Sequence, residues 1–190
     1  MEETNYRFQD KKKITIILHE WNTFYYQKKT KQLKKQEIHN ICKLKNSHWN
    51  YGFKSNLAWF KKNVKSYDIH NLVYYNSKLI GYTLLRIRTF YLGKIKKKYF
   101  NFDTLIVEKK YRNKGVSHFL MKLNNQVIKK NNKISFLVCL NNLIRFYKKF
   151  GWKIMPKKIF SIGDHSFNSN GMYFNRKVLN KDKYIFYFDK

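Results

Sequence analysis

Proline and acidic residues are the scarce components of this chain. One proline stands among 190 residues, and 11 Asp+Glu face 41 Lys+Arg, for a formal net charge of +30. The two cysteines, Cys42 and Cys139, form no C-x-x-C pair. That spacing excludes a zinc ribbon or a dithiol redox motif and favours a reduced, intracellular protein. No histidine or acid cluster has a spacing that demands a metal, so the expected metal set is none. The longest apolar runs, residues 14–18 and 134–140, fall far short of the roughly 18 residues a membrane span needs. The segment Met1-Glu2-Glu3 is acidic and leads into no apolar h-region. The expectation is therefore no signal peptide and a cytoplasmic location. No internal repeat and no low-complexity tail is found.

Hydrophobic residues make up 43% of the chain and aromatics 18%, which excludes a disordered polymer. The length fits a single domain over residues 1–190, with a loose lead-in at 1–12 and a core over about 13–178. The positive charge has two readings. It suits polyanions such as non-specific nucleic acid, an acidic substrate or a membrane surface. It also suits a chain rich in Lys, Asn, Ile, Tyr and Phe because its coding sequence is A/T-rich. No recognised nucleic-acid motif accompanies the charge.

The stretch at residues 102–127, FDTLIVEKKYRNKGVSHFLMKLNNQV, organises the rest. Its first part is apolar and branched, as in a strand (Leu105, Ile106, Val107). After the turn at residues 112–117, Val116, Phe119, Leu120, Leu123 and Val127 recur at helical spacing. A glycine, Gly115, sits where the helix begins, between basic residues. The first turn of a helix has free N–H groups and the positive end of the dipole, and glycine lets an anion approach the backbone.

This segment resembles motif A of the GNAT superfamily of N-acetyltransferases. In that family a strand runs into an Arg/Gln-x-x-Gly-x-Gly/Ala loop. Here the loop reads Arg112-x-x-Gly115-x-Ser117, with serine replacing the usual last residue. The run Phe146-Tyr147-Lys148-Lys149-Phe150-Gly151-Trp152 resembles the family's second signature, and an apolar stretch at residues 134–140 lies between the two.

In order, the pattern gives a strand at residues 13–19 and a basic helix at 30–45 with Leu33, Ile38, Ile41 and Leu44 on its inner face. A second helix follows at 55–64, with Ser55 a candidate cap. Strands at 69–75 and 79–90 form a hairpin, in which Gly81 marks a bulge or close approach. Residues 94–98 form a basic turn, and a strand at 99–107 leads into the loop. After the helix come a strand at 134–140, a helix capped by Asn141 or Asn142 and ended by Gly151, and closing strands at 152–162 and 171–178. Residues 164–170 link those two, and 184–188 is a further strand candidate. The expected fold class is mixed α/β: one mostly antiparallel sheet with a parallel, splayed strand pair, flanked by helices.

The resemblance implies direct acetyl transfer from acetyl-CoA to a primary amine. Arg112, Asn113, Lys114, Gly115, Val116 and Ser117 would then hold the pyrophosphate. Leu105, Ile106 and Val107 would line the pantetheine arm, with Asn142 beyond the second splayed strand. Tyr147 would donate a proton to the departing thiolate. Asp103, placed by simple alternation on the face of Leu105 and Val107, is the candidate general base, with Glu108 a rival. Trp49, Tyr51, Trp59 and Phe60 are candidate acceptor-pocket walls, although core packing is the first reading for any one of them. The expected acceptor is a small neutral or anionic amine. A protein acceptor, or a polyanion-binding role on the same fold, is the alternative. The expected state is monomer or homodimer.

Overall fold

The computed structural model describes residues 23–163, 169–178 and 183–189. The strand expected at residues 13–19 lies outside them. The first described strand, β1 (Thr23–Lys29), occupies a stretch that the sequence left unassigned. It pairs antiparallel with β2 (Ile69–Tyr75) at the edge of the sheet. Between them lie helices α1 (Lys35–Trp49) and α2 (Phe53–Asn63). Ser55 does not cap α2; the N-cap is Gly52.

Strand β3 (Lys78–Leu92) returns from β2 through Asn76 and Ser77, whose positive φ values of 46° and 60° make the tight turn. Strand β4 (Ile95–Val107) pairs with β3 along nearly its whole length. Lys96, Lys97 and Lys98, expected in a turn, instead form rungs of this hairpin opposite Tyr91, Phe90 and Thr89. The main-chain ladder tolerates them because their side chains reach solvent.

Helix α3 (Val116–Lys130) crosses over to β5 (Ser135–Cys139), which lies parallel to β4. A short helix, α4 (Ile144–Lys148), follows. Neither Asn141 nor Asn142 caps it, since Leu143 is its N-cap. The Asn141 amide oxygen instead accepts a hydrogen bond from Asn170 at 2.6 Å. The single strand expected at 152–162 is divided at Pro156 into β6 (Lys153–Met155) and β7 (Phe160–Ile162), joined by a 3-10 turn. Proline has no N–H to donate to a ladder. Strand β8 (Asn170–Phe174) stops short of residue 178, and β9 is Tyr184–Phe186.

The sheet order is β1-β2-β3-β4-β5-β8-β6, with β9 on the far end of β3 and β7 beside β9. Neighbours are antiparallel except at β4–β5 and β7–β9. Helices α1 and α2 cover one face through Ile41, Cys42, Leu44 and Phe60 over Leu72, Tyr82, Leu84 and Ile106. Helix α3 covers the other through Met121, Val127 and Ile128 over Leu85, Phe100 and Phe102. Gly81 lets α3 come close: a Cβ there would meet Val116 at 2.8 Å and Leu120 at 3.0 Å. A buried polar contact fixes the same helix, with Asn124 accepting from Asn71 at 2.6 Å and Thr83 at 2.9 Å.

The two buried arginines of β3 are paired with acids. Asp68 and Arg88 are buried and meet through two contacts of 2.9 and 3.0 Å. Asp68 also accepts from the backbones of Lys65 and Ile87, while Arg88 donates to the carbonyl of Phe188. The pair thus ties the end of α2, the centre of β3 and the last described residues together.

His70 lies fully buried, with Nδ1 2.8 Å from the Tyr82 hydroxyl and Nε2 2.8 Å from Thr30 Oγ1. Burial lowers its pKa from 6.5 to about 3. Between these values the unfolded chain binds the extra proton and the folded chain does not. Stability is therefore complete above this window and falls as pH drops through it, with a slope approaching about 1.4 kcal/mol per pH unit. Denaturant unfolding at about pH 7 and about pH 5 should show His70→Gln losing less stability on acidification than the parent. Equal losses would refute the assignment.

Candidate active site

The site begins where β4 and β5 part. Their ladder contains two pairs, Phe100 with Ser135 and Asn101 with Phe136. Beyond Asn101 the strands diverge. The Glu108 N–H donates to Ile80 in β3. By the alternation of an antiparallel pair, Ile106 also turns its backbone to β3, while Leu105 and Val107 turn theirs into the gap. Ile106 buries its side chain under α1 and α2. The three residues therefore divide: two present backbone to the gap and one does not.

Past Val107 the chain makes a 3-10 turn, Lys109–Tyr111, and reaches the loop. Asn113 has φ 60° and Gly115 has φ 83°. These left-handed residues aim successive N–H groups outward, a geometry suited to anions. From Asn113 to His118, six consecutive backbone N–H groups find no hydrogen-bond partner among the described residues; Phe119 N–H is the first to bond back, to Gly115. Val116 is buried beneath the loop and anchors it, while Ser117 stands in the first turn of the 15-residue α3. Lys114 is exposed, its ammonium 5.7 Å from the Tyr111 ring.

Arg112 takes a different role from the one its charge suggests. Its Nε donates to the carbonyl of Val107 at 3.2 Å, and its Nη2 lies 3.0 Å from His48 Nδ1. Burial lowers the pKa of that histidine, and the Arg112 charge lowers it further, which suits a neutral imidazole accepting from a guanidinium. Arg112 thus ties α1 to the end of β4.

Across the gap stand Cys139, at the end of β5, and α4. Tyr147 packs on the α3 face with Phe102 and Trp152, both ring centroids 6.2 Å away. Burial raises the pKa of its phenol, with Cys139 adding to the effect. The hydroxyl makes no hydrogen bond among the described residues. It is a protonated donor with its proton uncommitted. Asn142 is exposed on the turn after β5, between the exposed Leu140 and Leu143.

Asp103 is not on the face expected for it. Phe102 pairs with Leu85 and Thr104 with Leu84, so Asp103 is an extra residue, a β-bulge. The bulge breaks the alternation. Phe102 and Leu105 face α3, whereas Asp103 opens toward α1 and α2. There it lines a pocket of about 360 Å³ with Lys45, Trp49, Tyr51, Ser55, Asn56, Trp59 and Thr104. Both carboxylate oxygens are engaged: Oδ1 accepts from Arg86 at 3.0 Å and Oδ2 from Thr104 at 2.8 Å. Of the aromatic candidates, Trp49, Tyr51 and Trp59 line the pocket, and Phe60 is core.

The remaining candidates disperse. Glu108 pairs with Lys78 at 2.7 Å. His118 packs against Phe146 and Phe150. Burial raises the Cys139 thiol. Among the described residues no group of His, Cys, Asp and Glu could hold a metal, and no helix is long and apolar enough to cross a membrane. Lys45, which lines the pocket, and the arginines that hold Asp103 and Asp68 were missed in the sequence. Lys45 follows Ile38, Ile41 and Cys42 at helical spacing, so a lysine stands where the inner face of α1 calls for an apolar residue. Arg86 and Arg88 likewise interrupt an apolar strand.

Residues 68–154 match the family profile of an acetyltransferase (GNAT) domain. That profile, together with the shared fold, supports a member of the GNAT superfamily. Among solved structures, the fold is similar to ElaA of Escherichia coli, with a TM-score of 0.60 at 15% identity over 80% of this chain and 98% of that one. It is also similar to an acyl-CoA N-acyltransferase of Pseudomonas aeruginosa, with a TM-score of 0.61 at 13% identity over 80% and 98%. An aminoglycoside 6′-N-acetyltransferase complexed with coenzyme A gives 0.58 at 12% over 78% and 94%. At such identities the likeness is one of fold. No curated protein matches the sequence. The mixed sheet with its parallel β4–β5 pair is the GNAT architecture. The matched stretch runs from β2 to β6, so α1 and α2, which wall the pocket, lie outside it.

Removing the charge of Asp103 leaves the buried Arg86 guanidinium with only the exposed Asp189, 3.5 Å away, as a counter-ion. Asp103→Asn should lower unfolding free energy by about 1.5–3 kcal/mol. An unchanged denaturation midpoint would show that the ion pair contributes nothing.

Proposed function

We propose that the chain is an N-acyltransferase that uses acetyl-CoA and transfers the acyl group directly to a primary amine of a small molecule. The observation that carries this reading is the row of six unpaired N–H groups at the head of α3, placed at the mouth of the β4–β5 gap. Such a row is a fitting cradle for a pyrophosphate. Acetyl-CoA would supply a thioester carbon open to attack by a neutral amine.

The chain's residues then take these parts. Asn113, Lys114, Gly115, Val116 and Ser117 bind phosphate oxygens, mostly through backbone. Arg112 holds the Val107 carbonyl and so fixes the edge of the gap. Leu105 and Val107 offer backbone groups along it, and Asn142 with its exposed leucine neighbours flanks the other side. As the N–C bond forms and the C–S bond breaks, the nitrogen gives up a proton and the sulfur gains one. Tyr147, kept protonated by burial, donates to the sulfur. Asp103, already held by Arg86 and Thr104, serves as an electrostatic partner at the pocket and receives a proton only through water. The pocket of about 360 Å³ fits a small acceptor.

Calorimetric titration of acetyl-CoA at low and raised salt, beside Gly115→Glu, tests the cradle. Salt-tolerant 1:1 binding that the variant loses is expected, since glutamate sets bulk and negative charge against the phosphates. Binding that vanishes with salt and ignores the substitution would reduce the interaction to general polyanion attraction. For the proton donor, Tyr147→Phe should bind acetyl-CoA normally and lose roughly 100-fold in kcat. A full rate would remove the phenol from the chemistry.

A further inference from the structure

The pocket between α1, α2 and β4 holds a charge that its neighbours leave unanswered. Lys45 is 6% exposed and lines the pocket. Its ammonium lies 3.6 Å from the Trp59 ring centroid and 5.6 Å from that of Trp49. Among the described residues it donates no hydrogen bond. The facing carboxylate, Asp103, is bound at both oxygens by Arg86 and Thr104. Arg86 also reaches the exposed Asp189 at 3.5 Å, whereas Lys45 pairs directly with no acid among the described residues. Two indole faces attract a cation, yet they do not replace the acceptors that an ammonium loses on leaving water.

The pocket wall fits the same occupant. Trp49 and Trp59 present flat apolar surface, Tyr51 stands exposed at the rim, and Ser55 and Asn56 add polar groups. The unpaired ammonium of Lys45 calls for an anion, and the volume limits its carrier to a small molecule.

Resting on the acyl-transfer reading above, we propose that the acceptor is an amine that also carries a carboxylate, an amino acid or a close analogue with an apolar or aromatic body. Lys45 is its counter-ion and a specificity-determining residue. Trp49, Trp59 and Tyr51 hold the body, and the amine points to the β4–β5 gap. The Lys45 ammonium turns away polyamines and basic peptides.

Binding alone tests this, without requiring turnover. The parent protein is titrated by calorimetry with the natural amino acids, with leucinamide and phenylalaninamide, and with isoamylamine and phenethylamine. At least one amino acid should bind, and leucine or phenylalanine should bind roughly 10-fold or more tightly than its amide. Lys45→Met, which keeps the stem over the indoles, should abolish that ratio, and Lys45→Arg should keep it. Both variants should titrate with coenzyme A as the parent does. The proposal falls if no amino acid binds, if the amides bind equally well, or if the ratio survives in Lys45→Met. Should Lys45→Met fail to fold, the parent's acid-to-amide ratio decides the matter. Loss of the acyl-transfer reading would register separately, as absent coenzyme A binding in a protein that still discriminates acid from amide.

Discussion

The parallel ladder between β4 and β5 is two residue pairs long, and the site depends on where it stops. A parallel strand pair normally continues until one strand ends. Here both strands run on after Asn101 and Phe136, but apart. Each therefore carries main-chain groups facing a gap, and buried main-chain groups without partners are costly. The crossover through α3 starts at one side of the gap, and α4 closes the other. Gly81 brings the start of α3 close to the sheet, and the Asn71–Thr83–Asn124 contact keeps it there. The orientation of the helix head is thus a property of the sheet centre.

Charge is distributed by the same logic. The buried arginines in β3 are both met by acids: Arg88 by Asp68, and Arg86 by Asp103 and the exposed Asp189. With 11 acids in the chain, few remain for other inward-facing cations. Most lysines stay in solvent. Lys45 does not, and aromatic rings surround it in place of a carboxylate.

Much of this was legible in the sequence. Helix α3 announced itself through its 3.6-residue spacing and Gly115, and β5 through an unbroken apolar run. The position of Tyr147 followed from its motif. The errors have local causes. Alternation placed Asp103 on the wrong face because a bulge is invisible to a period-two pattern. Lys96 to Lys98 read as solvated turn because hairpin rungs far from the core carry no apolar signature. Strand β1 was missed because its residues are polar, aromatic and half-exposed, as suits a sheet edge. Sequence likewise shows the charge of Arg112 but not its direction, toward the Val107 carbonyl and His48.

Arg112 joins three parts that the chain order keeps distant. One end of its guanidinium holds the last carbonyl of β4, and the other meets His48, whose neighbour Trp49 walls the pocket under α1 and α2. The β4–β5 gap and that pocket therefore share a strut. A planar guanidinium thus bridges the α1 terminus and the strand edge, two parts that lie 64 and 5 residues from it along the chain.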